Sequence, residues 1–387
     1  MAENFSVSEL IVPGVFIRVR AEGLIRAGGI STGNIGIVGT AQIQALDEDG
    51  NPATDGGGSP VFDTSIYSST SILSDYDGAR TRLGTYDRYL DPQGAVVGSL
   101  NLVRSLQLIY QNGGGTVYAR ALSPAQATRA DYETAFAELL KDDINIVLAP
   151  ELSYDDAKAV FGALLEGAEN DGKDLIAVIG SDVDTTDLSG FTASVPENDR
   201  IIVAAPGVIT YDAAADENVV LPGAYTAAAV AGLISGLTPQ TSPTNTPLPG
   251  LTQLAQRFSY GETKALVSGH VLALEERQGV RVVRGVTTDS GAFQQITTRR
   301  IVDAAKQGIR QASQPFIGKL NNARVRKALQ GAIASFLDSM VGDEALIAYT
   351  LEVTATRDDE IGGRAIVNAV LQPTFSIDYI AVTLNLQ

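Results

Sequence analysis

The sequence predicts a doubly wound α/β body, an α+β C-terminal domain with a β-hairpin, and an extended strand at each end. Three observations carry this expectation. Between Asn101 and Ala205, short uninterrupted apolar segments alternate with segments whose apolar residues recur at helical spacing, the rhythm of a mostly parallel sheet covered on both faces. From Thr297 to Met340, two amphipathic helices carry concentrated positive charge. From Ile347 to Leu386 the apolar period shortens to two, as in half-covered strands.

Taken in order, Val15, Ile17 and Val19 alternate with Phe16, Arg18 and Arg20 just after Pro13-Gly14, a short strand following a turn. The dozen residues before it hold too little apolar content for a core of their own, so residues 1–22 read as an arm. Ile35 to Ala41 is a small-residue strand, and Asp47 to Ser59 is loop by composition. The Ser-, Thr-, Asp- and Tyr-rich text that follows extends a surface insertion over about residues 46–95. Asn101 to Tyr110 is helical, Asn112-Gly113-Gly114-Gly115 ends it, and Thr116 to Leu122 is a strand. Helices at Asp131–Lys141 and Tyr154–Glu169 alternate with strands at Ile144–Ala149, Leu175–Ile179 and Ile201–Ala205. Ala224 to Leu237 is a small-residue helix that closes the body. Thr238 to Gly250, with Pro239, Pro243, Pro247 and Pro249, is too proline-dense for helix or central strand. The expected division is an arm (1–22), an α/β body (23–262), a C-terminal domain (263–373) and a C-terminal arm (374–387).

The charge is segregated. The 387 residues carry 28 basic and 45 acidic side chains, a net −17. Eight of the basic and one of the acidic residues lie between Thr297 and Gln330, giving +7 there and leaving 20 basic against 44 acidic elsewhere, or −24. In the first helix Ile301, Ala305, Ile309 and Ala312 share a stripe, while Arg299, Lys306 and Arg310 gather on the other side. The second repeats the pattern with Val325, Leu329, Ala332, Phe336 and Met340, and crowds Arg324, Arg326 and Lys327 into its first turns, where the helix dipole favours anions. Pro315 and Gly318 separate the two. These cations, with Lys319, read as a basic face on an acidic body, either solvated or turned toward a partner.

At the end of the chain Ile347, Tyr349, Leu351 and Val353, then Val367 and Leu371, alternate with smaller or polar residues about a turn at Arg357–Gly363, which makes a hairpin. Ile380, Val382, Leu384 and Leu386 form a last alternating strand. It pairs either with its own hairpin or with that of a neighbouring subunit.

Catalytic and cofactor motifs are missing. Gly29, Gly33, Gly36 and Gly39 lack dinucleotide-binding spacing, and no GxxxxGK[ST] occurs. His270 is the only histidine, sits between Gly269 and Val271 in an apolar, strand-like stretch, and has no GxSxG elbow to serve. With one histidine and no cysteine, zinc would need mostly carboxylates. Asp47-Glu48-Asp49-Gly50-Asn51 lacks calcium-loop spacing. The reading is therefore of a non-enzyme without cofactor or metal. The net charge opposes general nucleic-acid binding. No run of eighteen apolar residues predicts membrane insertion, and the polar start MAENFSVSEL suggests cytoplasmic synthesis without a Sec-type leader.

Several segments resemble contractile tail sheath proteins in family order: Pro13-Gly14-Val15-Phe16, Ile37 to Ala41, Leu102 through Asn112-Gly113-Gly114 to Arg120, Thr298-Arg299-Arg300-Ile301, Phe316-Ile317-Gly318 with Asn321-Asn322, Phe336-Leu337 and Tyr379-Ile380. One departure is Leu221-Pro222-Gly223-Ala224, where many sheaths carry Pro-Pro-Ser-Gly. The resemblance implies a subtilisin-like body without protease chemistry and a subunit of stacked hexameric rings that contract around an inner tube. It implies self-association and contacts with the tube, baseplate and terminator proteins, in a phage tail or contractile injection particle assembled in the cytoplasm. A non-contractile shell protein and an α/β hydrolase are the alternatives. On this resemblance Val15, Ile17, Val19, Ile380, Val382, Leu384 and Leu386 are donated-strand positions, and Ile347, Tyr349, Leu351, Val353, Val367 and Leu371 receive them. Arg299, Lys306, Arg310, Lys319, Arg324, Arg326 and Lys327 face the tube.

Overall fold

The computed structural model describes residues 32–86, 101–124, 127–183, 185–213 and 216–384. The N-terminal strand read at Val15, Ile17 and Val19 lies outside them, as does Leu386. In chain order the elements are β1 (Ile35–Thr40), β2 (Ser71–Leu73), α1 (Tyr76–Leu83), α2 (Leu102–Gln111), β3 (Val117–Leu122), α3 (Arg129–Leu139), β4 (Ile146–Leu148), α4 (Tyr154–Asn170), β5 (Ile176–Gly180), α5 (Leu188–Ser194) and β6 (Ile201–Ala205). They continue with β7 (Val208–Asp212), β8 (Glu217–Leu221), α6 (Gly223–Gly236), β9 (Gln253–Leu254), α7 (Tyr260–Ser268), β10 (Leu272–Glu276) and β11 (Val280–Val282). Last come α8 (Ile296–Ser313), α9 (Ala323–Gly342), β12 (Leu346–Thr354), α10 (Arg357–Ile361) and β13 (Ile366–Pro373).

Eight strands form the main sheet in the order β11-β10-β6-β5-β4-β1-β3-β2. The six inner strands run parallel, and only the edge strands β2 and β11 are antiparallel to their neighbours. Because successive side chains on a strand point to opposite faces, the continuous apolar runs serve two cores at once. Ile35, Ile37, Ile146, Leu148, Ile176, Val178, Ile202 and Ala204 meet α2 and α6 on one face. Val38, Val147, Ala177, Ile179, Ile201, Val203 and Ala205 meet α3 and α4 on the other. Local signals start the helices where the sequence predicts: Asn101 accepts from the Arg104 N–H to cap α2, and Ser153 from the Asp156 N–H to cap α4.

The structure revises the sequence reading in four places. Ser71–Leu83, read as part of a surface insertion, supplies edge strand β2 and helix α1, whose Ala79 and Leu83 are buried; only its polar faces gave it the composition of a loop. Residues 208–254 contain a three-stranded antiparallel sheet, β8-β7-β9, tied to α2 by the buried pair Arg104–Asp212, with the Arg104 guanidinium 3.7 Å from the Tyr86 ring centroid. The expected boundary at 262/263 precedes β10 and β11, which extend the main sheet, so the C-terminal core begins with α8. The hairpin's turn holds α10, closed by a capping box between Thr356 and Asp359.

That third core packs Ala304, Ala305 and Ile309 of α8 and Leu329, Ile333, Leu337 and Met340 of α9 beneath the hairpin. The α9 stripe centres on Ile333 and Leu337, one position away from Ala332 and Phe336 of the sequence reading.

Close approach of α2 and α6 requires a glycine: a Cβ on Gly232 would lie 2.3 Å from the Ile109 carbonyl oxygen. Gly167 on α4, by contrast, faces open space. Gly232→Ala is expected to destabilise the fold by about 1–3 kcal/mol through overpacking, and Gly167→Ala to stabilise it by about 0.5–1 kcal/mol, as read from denaturant unfolding midpoints.

Candidate assembly surfaces

Helix α8 buries both of its faces. Its apolar stripe covers the third core, and its charged stripe meets acids of the α/β body. Arg299 Nη1 lies 2.8 Å from Asp199 and Nη2 lies 2.5 Å from Asp303. Lys306 Nζ lies 2.6 Å from Asp174 and 3.9 Å from Glu169. Arg310 lies 3.6 Å from Asp174. Arg200, at the entrance to β6, joins them with contacts of 3.0 Å to Asp303, 3.1 Å to Asp174 and 3.2 Å to Glu169. Four cations thus interlock with four carboxylates across the seam between α4, β5, β6 and α8. Burial disfavours the charge on Arg200, but Asp303, Asp174, Glu169 and Asp199 outweigh it and raise its pKa. Burial likewise opposes the charge on Asp303, and Arg200, Arg299 and Lys306 outweigh that and hold its carboxyl below the ordinary range.

Neighbouring Arg300 is buried too and donates to the carbonyls of Leu237 at 2.9 Å and Thr238 at 3.2 Å, just past the C-terminus of α6, where a cation complements the helix dipole. Burial lowers its pKa to about 10.

The expected cationic face is therefore divided. Arg299 and Lys306, at 2% and 3% exposure, cannot present charge to a partner from this position, because the body's own acids occupy them. Arg310 is one-quarter exposed and belongs to the same network. Arg326 bonds Asn321 and Glu360, joining α9 to the hairpin tip. Lys319, Arg324 and Lys327 are exposed and pair with no acid among the described residues. They surround the α8–α9 turn, where Ile317 and Leu320 are also exposed. The acids Glu169, Asp174 and Asp199 were missed because they lie far from α8 along the chain. The available signal was a charged residue at the mouth of an all-apolar strand: Arg200 before β6, Asp174 before β5.

The second surface is the hairpin. β12 and β13 form a sheet of two strands among the described residues, so each presents an unpaired edge. Tyr349, Leu351, Val353, Val367 and Leu371 face α9. Ile347, beside a register shift at Leu346/Ala348, is 59% exposed instead. Beyond β13, Ile380, Val382 and Leu384 are 83%, 74% and 84% exposed and form no strand with their own hairpin.

The carboxyl ends of the parallel strands, where α/β proteins place ligands, offer Glu151. It accepts from the Thr40 N–H and hydroxyl, and burial pushes its pKa up to about 7. His270 lies at the opposite end of the sheet, in the turn before β10 rather than in a strand. It adopts φ 60°, and its ring meets Gln294 at 3.2 Å. Asp47 accepts from the N–H groups of Asp49 and Asn51, a polar turn. No helix among the described residues is long and apolar enough to cross a membrane.

Family models describe two consecutive parts of this chain: residues 125–288 match the phage tail sheath protein central domain, and residues 288–387 the phage tail sheath C-terminal domain. The chain belongs to the phage tail sheath family. No curated protein sequence matches it. Solved sheath structures share its fold. A chain in the anti-feeding prophage baseplate aligns with TM-score 0.71 at 19% identity, covering 97% of this chain and 99% of that one. A chain of an extracellular contractile injection system sheath complex in the contracted state aligns with TM-score 0.69 at 17% identity, covering 97% of each. The sheath tail protein of Listeria innocua aligns with TM-score 0.65 at 12% identity, covering 91% and 94%.

In this sheath protein, removing one member of the ion network leaves the others buried and underpaired. Asp303→Ala is expected to cost about 3–5 kcal/mol. Because the folded pKa of Asp303 is depressed, its contribution is fully present above the ordinary carboxylate range near ~4 and is lost as pH falls through its lower folded value. Urea unfolding between about pH 5 and 2 is expected to show a smaller acid-side loss in Asp303→Asn than in the parent.

Proposed function

We propose that this sheath protein polymerises as stacked hexameric rings around an inner tube and drives that tube forward by contraction, as part of a phage tail or contractile injection particle. The observation that carries the reading is an incomplete sheet: a hairpin with two open edges beside a chain end whose apolar stripe faces solvent. Long exposed edges invite pairing with another chain, and a strand lent by a neighbour would satisfy both at once. If a donated strand adds about five backbone hydrogen bonds at ~1 kcal/mol net each, with apolar burial besides, the link survives large displacement of the bodies.

The receiving positions are Tyr349, Leu351, Val353, Val367 and Leu371, and the donor is 380–387 with the N-terminal strand at Val15, Ile17 and Val19. The tube-facing charge is Lys319, Arg324 and Lys327 of the α8–α9 turn, without Arg299 and Lys306. Exposed charges contribute about 0–1 kcal/mol each and are screened by salt, which suits a surface that must release its partner. Assembled sheaths and a baseplate among the fold's relatives support partnership with further copies and with a baseplate. A subtilisin-like fold for the body and a cap protein at the far end are further parts of the proposal.

Deleting residues 380–387 removes only exposed side chains and the terminal residues beyond them. The product is expected to keep the parent's circular dichroism and melting temperature while losing the ability to form hollow cylinders in electron micrographs; cylinders from the deletion would refute strand donation. Reversing Lys319, Arg324 and Lys327 to glutamate should leave stability within about 0.5 kcal/mol per site and abolish co-assembly with the tube protein. Normal tube-filled sheaths would refute the tube contact.

A further inference from the structure

Residues 374–379 alternate between half-buried and exposed side chains and so present two unlike faces. The even-numbered side chains fasten the segment. Thr374 donates to the Glu344 carbonyl at 2.9 Å. Gln295 bridges the Ser376 backbone, accepting from its N–H at 3.3 Å and donating to its carbonyl at 3.4 Å. Asp378, with only 5% of its side chain exposed, accepts from Arg284 Nε at 2.8 Å, Gln295 Nε2 at 3.0 Å and Ser376 Oγ at 3.1 Å. The odd-numbered side chains are apolar or aromatic and point outward: Phe375, Ile377 and Tyr379 are 58%, 80% and 74% exposed.

The apolar stripe then changes phase. Up to Tyr379 it occupies odd positions; from Ile380 it occupies 380, 382, 384 and 386. A shift of one residue moves a stripe to the opposite face of a strand. One straight strand therefore cannot bury Ile377 and Val382 against the same surface, and a hairpin that receives 380–386 leaves the odd stripe for something else.

We propose that Phe375, Ile377 and Tyr379 form a second docking ridge for another copy of this chain, separate from the donated strand and held in place by Asp378. This rests on the sheath reading above. The occupant is a second copy for two reasons. The ridge is continuous with the donated strand, whose residues 380–387 span at most about 29 Å when fully extended. The copy that receives the strand must therefore lie close to the ridge. Asp378 acts as a positioning residue: it fixes where the arm leaves the body and thereby limits its reach.

The chain contains no cysteine, so Ile377→Cys supplies a single thiol. In full-length protein separated by size into unassembled and assembled fractions, maleimide labelling is expected to be fast in the former and at least tenfold slower in the latter. Ile377→Asp is expected to reduce the assembled fraction at least tenfold with an unchanged melting temperature for the unassembled chain. Equal labelling in the two fractions overturns the ridge while leaving strand donation intact, and protection already in the unassembled chain overturns it by showing that the chain covers the ridge itself. If the parent protein forms no assembled fraction under any condition, the sheath reading and the ridge fall together.

Discussion

Asp303 lies between Arg200, Arg299 and Lys306, and the union of α8 with the α/β body depends on that arrangement. Ions taken out of water are costly unless their partners are close and numerous. Here four cations and four carboxylates satisfy one another, so the charge that makes the helix look like an exposed basic face is internally balanced. Such a seam opposes sliding, because displacing α8 by one turn would leave several charges buried without counterions. Gly308 adds a steric limit on the other side: a Cβ there would lie 1.8 Å from the Phe336 ring, so α8 and α9 are locked at close range. Body, α8, α9 and the hairpin base are thus joined through buried contacts.

The sheet edges follow the same division. An exposed edge is a template for unwanted pairing, and the main sheet protects its own. β11 is overlaid by the proline-rich loop, whose Asn245 and Leu248 N–H groups donate to Val282 and Val280 carbonyls, while β2 is three residues long. β12 and β13, with nine and eight residues, are left open; among the described residues only the Leu351 carbonyl is taken, by Gln330. The long open edges thus lie at the hairpin and not in the main sheet, which is where the proposed strand donation needs them.

The sequence disclosed the parts governed by local chemistry. The strands from β3 to β6 and helices α2, α4, α6, α8 and α9 follow from periodicity, capping residues and glycine stops, and the hairpin and exposed arm residues from alternation at period two. What it hid depends on distance along the chain. Arg299 and Lys306 have the spacing of a solvated face, and only the folding of Asp174 and Asp199 against them reveals an interior contact. Ser71–Leu83 looks like surface because its polar side chains outnumber the few, such as Leu73, Ala79 and Leu83, that anchor it. Strands β7, β8 and β9 are five residues or shorter, too short for periodicity alone to set them apart from a loop until they pair.

Charge therefore works at two depths in this molecule. The α8 network is shielded from solvent, so added salt screens it little, whereas Lys319, Arg324 and Lys327 stand in water where the Debye length is about 8 Å at physiological ionic strength. On the proposed reading, an anionic partner on the α8–α9 turn would be held by attraction that solvent ions dilute, while the subunit's own integrity is insulated from them. The proposed β-strand links would have a third character, since backbone hydrogen bonds and apolar burial depend weakly on salt. In the proposed assembly, detachment from the tube and disassembly of the polymer would therefore be opposed by different forces.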